Sequence, residues 1–487
     1  MLSVFSVSSV RKRAAARLAA VTLLSGFLAA GALAGAGTAA AEETGTAPRQ
    51  GGVAATMGGL KTYGAAVLHD ATGDQDVSAG LFEMSVDGGG TLQTYCVDVQ
   101  NPTQRDARYH ETPWSGTSLA ANKQAGKIRW ILRNSYPQVN DLASLAAKAG
   151  VKGALTEQDA AAGTQVAIWR YSDGADVDAV DPGAEKLADY LEKSAVSLPE
   201  PTGSLTLDPP AVSGHPGELL GPVTVHTDAN GVTLTPPADA ATTGVRIVGK
   251  DGEAITSAAD GSQVFFDVPK GAADGSAELT VGASTTVPVG RALVSESRSQ
   301  TQILAGSSES TVSATASATW ATQGAVPALS AVTNCAKSGL DITAVNTGDE
   351  AFGFTLMGAA YSIPAQSSRT VTVPLQEDQA YDFAISAPGG PEKRFSGVLD
   401  CKTQSSETGG TGTATQTLSE PSPATVGGVA DDTTTNLAAT GGSTATPLIA
   451  GLAIAFVVIG GAALVVVRKR EEEAAAAAGK AGGARQG

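Results

Sequence analysis

The decapeptide TLQTYCVDVQ, residues 91–100, contains Cys96, one of only three cysteines in the 487-residue chain. Apolar and polar residues alternate along it, and a glycine-rich break precedes it, which predicts a short β-strand. Cysteines of exported proteins usually pair, and three cysteines cannot all pair with one another. Three roles are therefore open to Cys96: a buried apolar thiol, an intermolecular disulfide or a chemical use of the thiol.

The two ends of the chain predict export and a membrane-spanning segment. A basic start, an apolar run and the small residues of TAAAEE predict a secretory signal peptide over residues 1–41. An uncleaved membrane helix is the alternative at this end. Pro447 to Val467 is an uncharged run of 21 residues, long enough to cross a bilayer. The basic residues that follow it place that end on the cytoplasmic side.

The pentapeptide before the apolar run resembles a sortase sorting signal, whose usual form is LPxTG. Its residues are Leu437, Ala438, Ala439, Thr440 and Gly441. Alanine in place of proline resembles the signal of class E sortases from high-GC Gram-positive bacteria. The resemblance implies a sorting segment over residues 437–487. It also implies cleavage after Thr440, whose carboxyl group is then joined to peptidoglycan. A plain single-pass anchor is the alternative.

The chain is acidic, with a formal net charge of −16. The two segments that export and sorting would remove carry more basic than acidic residues, so the mature piece, about residues 42–440, is more acidic still. This charge argues against nucleic acid and anionic membrane surfaces as partners. We expect contact with the membrane only through the C-terminal helix, and an extracellular, wall-attached mature protein.

Residues 53–198 differ in composition from the rest of the chain. They hold three of the four tryptophans and six of the eight tyrosines, enough to bury a substantial core. Strand patterns fill the first part, and helical periodicity fills the second. Thr156 is a predicted N-cap, and Asp181 before Pro182 predicts another helix start. An α+β domain is predicted here.

The sequence after residue 198 predicts all-β domains. Strand-like pieces rich in Val, Thr and Gly predict one immunoglobulin-like β-sandwich over residues 200–320 and a second over 326–402. Cys335 and Cys401 lie near the two ends of the second sandwich, so a disulfide between them is the first choice. Residues 403–436 form a Ser/Thr/Gly linker without a visible core, which predicts a disordered stalk.

A downstream helix changes the interpretation of Cys96. Gln165 and Trp169 are one turn apart in it, and a core-facing glutamine is costly unless its amide is satisfied. The motifs YCVD and TQVAIW, in this order, resemble the thioester domain of Gram-positive surface adhesins. The resemblance covers residues 53–198. It implies an internal thioester between Cys96 and Gln165, with Tyr95, Thr164 and Trp169 at supporting motif positions.

The residue types suit that chemistry. A thiol can attack a side-chain carboxamide and expel ammonia, and the resulting thioester is more open to attack than an amide. An amine on a partner then takes the acyl group and frees the thiol. Each molecule acts once, so we expect a reactive binding module, not a turnover enzyme.

No enzyme motif competes with this interpretation. The four histidines are scattered without metal-ligand spacing, and no GxSxG or phosphate-binding loop occurs. We expect no metal and no cofactor. The predicted function is covalent capture of a partner by a wall-anchored adhesin, the partner being a protein or another amine-bearing surface ligand. The alternative is a non-covalent adhesin or a structural coat protein.

Overall fold

The computed structural model describes residues 51–71, 73–386 and 392–403. The predicted signal peptide, the sorting signal and the apolar run over 447–467 lie outside these residues. So does the predicted linker, apart from Thr403. Among the described residues, no helix combines the length and the apolar character needed to cross a membrane.

The N-terminal third of the described chain mixes strands and helices, as the sequence predicts. Its strands are β1 (Ala54–Asp70), β2 (Gly73–Val86), β3 (Thr91–Cys96), β4 (Arg108–Thr112) and β5 (Val177–Ala179). Its helices are α1 (Ala125–Asn134), α2 (Leu142–Ala149), α3 (Glu157–Ser172) and α4 (Pro182–Ser194), and two 3-10 turns cover Trp114–Gly116 and Ser118–Ala120.

Local signals fix where the helices begin. The Thr156 side chain accepts a hydrogen bond from the Asp159 N–H, and the Asp159 carboxylate accepts one from the Thr156 N–H, which makes a capping box for α3. Asp181 caps α4 through the N–H groups of Gly183 and Ala184. Both predicted helix starts are confirmed. Helix α2 was not predicted, although Asp141 caps it in the same way.

The middle of the chain is almost entirely β. Its strands are β6 (Leu205–Asp208), β7 (Ala211–Gly214), β8 (Leu219–Thr227), β9 (Val232–Thr235), β10 (Arg246–Val248), β11 (Ser257–Ala258), β12 (Gln263–Asp267), β13 (Gly275–Thr286), β14 (Ala292–Ser295), β15 (Gln302–Ser307) and β16 (Glu309–Trp320). One short helix, α5 (Ala240–Thr243), interrupts them. A four-stranded sheet, β10-β12-β8-β6, and a five-stranded sheet, β11-β9-β13-β16-β7, contribute side chains to one core. We call these two sheets the sandwich lobe.

Strands β14 and β15 do not belong to the sandwich lobe. They lie between β3 and β4 and complete a seven-stranded sheet of order β2-β3-β15-β14-β4-β1-β5. Because β2 also pairs with β1, six of these strands close into a hydrogen-bonded ring. We call this ring, its helices and β5 the ring lobe, which consists of residues 53–198 and 292–307. The predicted boundary at residue 198, and the assignment of all of 200–320 to one sandwich, are wrong in this respect.

The last described segment has its own core and three small sheets. Its strands are β17 (Pro327–Asn334), β18 (Gly339–Asn346), β19 (Phe352–Leu356), β20 (Ala359–Ile363), β21 (Ser367–Pro374), β22 (Ala380–Ser386) and β23 (Glu392–Val398). Cys335 and Cys401 form a disulfide with their Cα atoms 5.1 Å apart, as predicted. We call residues 327–403 the disulfide lobe. The immunoglobulin-like arrangement of this lobe and of the sandwich lobe stays a prediction.

A buried ion pair holds the returning strands in the ring. Arg291, directly before β14, donates to Glu111 of β4 at 2.8 Å and to Glu200 at 2.9 Å. Glu200 belongs to the connector, residues 199–204, which joins the ring lobe to β6. Arg291 and Glu111 are both almost fully buried. Glu111 also accepts from the N–H groups of Val53 and Ser204. The pair therefore ties together the start of β1, β4, the connector and β14.

The C-terminal end of the disulfide lobe packs against the ring lobe through buried carboxyl groups. Thr301, next to β15, donates to Asp400 at 2.7 Å. Asp173, after α3, interacts with Thr403 and with the Val99 N–H. Burial raises the pKa of Asp173 to about 8 and that of Asp400 to about 7. Thr403 is buried here, so the linker does not begin at residue 403 as predicted.

Replacing Arg291 should destabilise the protein severely. Arg291→Met leaves the Glu111 charge buried without its partner, so we expect a loss of about 3–5 kcal/mol in the free energy of unfolding. Urea denaturation measures it. The matched control is Arg246→Met, which removes a solvent-exposed pair with Asp267 and should cost less than about 1 kcal/mol. Equal losses in the two variants would contradict the role of Arg291.

The carboxyl contacts should make stability fall as pH rises. Because the folded-state pKa values of Asp173 and Asp400 lie above an unfolded value near 4, the folded protein binds more protons between about pH 4 and pH 8. We expect stability at pH 5 to exceed that at pH 8 by on the order of 6 kcal/mol if both groups shift fully. Asp173→Asn should flatten this profile, which urea midpoints at both pH values report. An unchanged profile in that variant would contradict the assignment.

Candidate functional site

Cys96 is the last residue of β3 and is almost completely buried. The Val97 N–H donates to the carbonyl of Thr301, directly before β15, so Cys96 and Gln302 face each other as a non-hydrogen-bonded pair. The N–H and C=O of Cys96 therefore point away from β15, toward β2. Pairing between β2 and β3 stops at Phe82 and Thr94, so β2 does not bond them.

The side chain of Gln165 takes the place of the missing strand. The Cys96 N–H donates to Gln165 Oε1 at 3.0 Å, and Gln165 Nε2 donates to the Cys96 carbonyl at 2.9 Å. Gln165 is fully buried, and these two bonds satisfy both ends of its carboxamide. The acyl carbon of Gln165 thus lies beside the residue that carries the thiol. The predicted pair, 69 positions apart in sequence, is brought together.

Helix α3 presents Gln165 from the interior of the ring lobe. Its residues from 160 to 169 are all buried, since β1, β2, β3 and α4 pack around it. Gly163 makes the contact with α4 close: a Cβ there would lie 2.4 Å from the Ala184 carbonyl oxygen. Thr164 donates to the Ala160 carbonyl at 2.7 Å. This tight packing fixes the helix, and with it the position of the carboxamide.

The supporting aromatic residues are buried with the pair. Tyr95 has no exposed surface and donates to the Tyr136 carbonyl at 2.9 Å. Burial raises the pKa of Tyr95 above its ordinary value, although a hydrogen bond with Thr164 opposes the change. Trp169 is 3% exposed and lies one turn after Gln165. All five residues of the predicted motif therefore lie in one dry region of the ring lobe.

The sulfur has neighbours that the sequence analysis missed. Gln302 Nε2 donates toward Cys96 Sγ at 3.4 Å, and Thr103 Oγ1 lies 3.8 Å from the same sulfur. Burial raises the pKa of the Cys96 thiol to about 12, and the hydrogen bonds with Gln302 and Thr103 act in the opposite direction. Neither neighbour belongs to the quoted motifs. The one local signal for Gln302 is a glutamine within the strand-like sequence TQILAG.

Comparison with known proteins supports a thioester domain in the ring lobe. The family model described as "TED: Thioester domain" matches residues 93–197. A search of curated proteins gives no match. Among solved structures, the Bacillus anthracis TIE protein is similar at 14% identity and a TM-score of 0.24, over 72% of this chain and 81% of that chain.

The thioester domain of the Enterococcus faecium TIE86 protein is similar at 16% identity and a TM-score of 0.26. That likeness covers 55% of this chain and 96% of that chain. The family model alone indicates the domain type, and its match contains both Cys96 and Gln165. Residues 93–197 of this chain are therefore similar to a thioester domain.

Proposed function

We propose that this protein is a cell-wall-anchored adhesin that captures an amine-bearing partner once, through a thioester between Cys96 and Gln165. The observation that carries the proposal is the two-way hydrogen bonding of the Gln165 carboxamide to the Cys96 main chain. A buried glutamine held in this way has its carboxamide fixed at the main chain of the only cysteine that forms no disulfide. The thioester domain match supports the same chemistry.

Formation of this thioester requires the Cys96 sulfur to reach the Gln165 acyl carbon, since the carboxamide that contacts the sulfur in the structure is that of Gln302. The Cys96 sulfur attacks the Gln165 acyl carbon, and the negative charge that develops on Oε1 faces the Cys96 N–H. The C–N bond breaks, and the thiol proton leaves with Nε2 as ammonia. The Cys96 carbonyl already accepts from that nitrogen. Because both groups belong to one folded chain, the reaction is intramolecular, which lowers its entropic cost.

Burial then protects the bond. Cys96 and Gln165 have almost no contact with solvent, and Tyr95 and Trp169 are buried beside them. Exclusion of water slows hydrolysis of a reactive acyl group. The thioester therefore lasts until a nucleophile reaches the site.

Capture is the second half of the chemistry. An amine, such as a lysine side chain, attacks the Gln165 acyl carbon and forms an amide. The C–S bond breaks, and a proton from the amine ends on the Cys96 sulfur. The product holds the partner covalently and cannot react again, so the module is single-use and not a turnover enzyme.

Attachment to the wall rests on the sequence of the chain ends. The signal peptide over 1–41 would export the chain, and a class E sortase would cut after Thr440 and join it to peptidoglycan. The segment from Pro447 to Val467 would hold the precursor in the membrane until then. The mature protein would be extracellular, with its reactive site in the N-terminal part of the chain.

Intact mass should reveal the thioester. The folded parent should be lighter than its sequence mass by one ammonia, and methylamine should add its own mass at Gln165 while freeing the Cys96 thiol for maleimide labelling. Cys96→Ala and Gln165→Ala should show neither effect. Cys96→Ala should cost about 1–2 kcal/mol of stability, because it trims one small buried side chain. Mass spectrometry with peptide mapping measures the loss of ammonia and the addition of methylamine.

Gln158→Ala is the matched control, because Gln158 lies in the same helix but is exposed. It should behave as the parent does. If the parent has its full sequence mass and reacts with maleimide before any methylamine, Cys96 is an ordinary buried thiol. The protein would then be a non-covalent adhesin or a coat component.

Wall attachment should depend on Thr440. In a Gram-positive host with a class E sortase, the parent should remain with the wall in hot detergent and be released by muramidase. Thr440→Ala should shift the protein to the membrane fraction, because sortase loses the threonine side chain it recognises at the cleavage position, although the main-chain carbonyl remains. Thr444→Ala, just beyond the motif, is the control and should not. An unchanged distribution in Thr440→Ala would rule out sortase attachment there.

A further inference from the structure

The last residues of the disulfide lobe contact the end of the ring lobe that holds Cys96. These residues, 399–403, follow β23, and we call them the strap. Asp400 in the strap accepts a hydrogen bond from Thr301 at 2.7 Å. The Thr301 carbonyl accepts from the N–H of Val97, the residue after Cys96. The strap is therefore bound to a residue that itself pairs with the chain next to the thiol.

A second contact binds the strap to the end of helix α3. Asp173, directly after α3, interacts with Thr403 and with the Val99 N–H. Asp98, in the loop that follows β3, is 2% exposed and interacts electrostatically with both Asp173 and Asp400. The strap thus contacts the ring lobe on the β15 side and on the α3 side, and the loop after β3 lies near both contacts.

The strap is fixed to its own lobe. Cys401 forms the disulfide with Cys335, and Leu399 is fully buried in the core of the disulfide lobe. The Glu377 carboxylate accepts from the N–H groups of Cys401 and Lys402 at 2.6 and 2.8 Å. The contacts with the ring lobe are therefore the ones that can open while the disulfide lobe stays folded.

Carboxyl groups from both lobes meet at this contact. Asp98 acts on Asp173, and the three carboxyl groups that act on Asp400 are those of Asp98, Glu377 and Asp378. The basic side chain of Lys402 acts on Glu377. Cys96 also faces Asp173, and Tyr109 faces Asp400, but burial raises the pKa of both groups and keeps them neutral near pH 7. Ionisation of the carboxyl groups therefore brings like charges together across the contact.

The direction of the pH effect follows from burial. With the strap in place, burial raises the pKa of Asp173 to about 8 and that of Asp400 to about 7. Once the strap moves away and water reaches them, these values fall toward the ordinary value near 4. Opening therefore releases protons, so a rising pH favours the open state.

We propose that the strap is a pH-dependent gate on the reactive site, closed in acid and opening as the pH rises through neutrality. This inference rests on the proposed function, because the gate controls which molecules reach the thioester. A closed gate excludes water and amines alike, which preserves the bond. Release of the strap from Thr301 and Asp173 admits the nucleophile.

The test measures how fast the full chain reacts with hydroxylamine at pH 5 and at pH 8. Hydroxylamine is chosen because far more of it than of methylamine is free base at pH 5. Asp400→Asn keeps an oxygen that accepts from Thr301 but cannot ionise, so its gate should stay closed at pH 8. The ratio of the parent rate to the variant rate cancels the ionisation of hydroxylamine. We expect this ratio to rise about tenfold or more from pH 5 to pH 8.

Asp382→Asn is the matched control. Asp382 is a half-exposed carboxylate of the same lobe that pairs with Arg394, so the ratio for this variant should not change with pH. Asp173→Asn removes the other ionisable contact and should behave as Asp400→Asn does. It decides the question alone if Asp400→Asn does not fold.

Hydrogen exchange separates the gate from a general change in stability. At pH 8, the strap and residues 97–103 should exchange more slowly in Asp400→Asn than in the parent. Strand β18, in the core of the disulfide lobe, should exchange equally in both proteins. A purely structural role of Asp400 would slow exchange in β18 as well, and that result would contradict the gate.

The outcomes distinguish this inference from the function on which it rests. A parent at its full sequence mass overturns the proposed thioester. The free Cys96 thiol then replaces the thioester as the probe, and maleimide replaces hydroxylamine in the same ratio. With either probe, a ratio that is the same at pH 5 and pH 8 for both asparagine variants overturns the gate.

Discussion

The main-chain N–H and C=O of Cys96 are the groups on which the arrangement of the ring lobe depends. They lie in a dry interior at the point where β2 stops pairing with β3, and each buried main-chain polar group left unpaired costs about 1–3 kcal/mol. The carboxamide of Gln165 satisfies both, because it carries one donor and one acceptor with the spacing of a peptide group. The structural requirement of the Cys96 main chain is therefore met by these two hydrogen bonds.

Different parts of the chain contact Cys96 on its β2 side and on its β15 side. On the β2 side, helix α3 brings the acyl group. On the other side, β15 brings Gln302, from more than a hundred residues downstream. Gln302 lies at the Cys96 sulfur only because β14 and β15 return to close the ring.

The sequence predicts the local features of the ring lobe, such as helix starts, but few of its long-range pairings. The N-cap at Thr156 and the helix start at Asp181 follow from short-range patterns, and the structure has both. Helix α3 is buried on all sides from residue 160 to residue 169, which these patterns do not predict. The juxtaposition of Cys96 and Gln165 came from a family resemblance, since no periodicity relates residues 69 positions apart. The position of Gln302 at the Cys96 sulfur could not be predicted, because alternation identifies a strand but not the strand with which it pairs. Strands β14 and β15 look like the other strands of the sandwich lobe, and nothing local assigns them to the ring.

The path of the chain explains why the ring and sandwich lobes are one folding unit. Strands β13 and β16 pair along their whole length, from Gly275 with Trp320 to Thr286 with Glu309, so the segment between them is the far end of one long hairpin. That end carries β14 and β15 into the ring, where Arg291 anchors it to Glu111. A piece ending at residue 198 would leave β3 and β4 with open edges and a buried Glu111 without its arginine. The thioester match ends at residue 197, but the structure that keeps its sulfur and carboxamide in a dry site extends at least to residue 307.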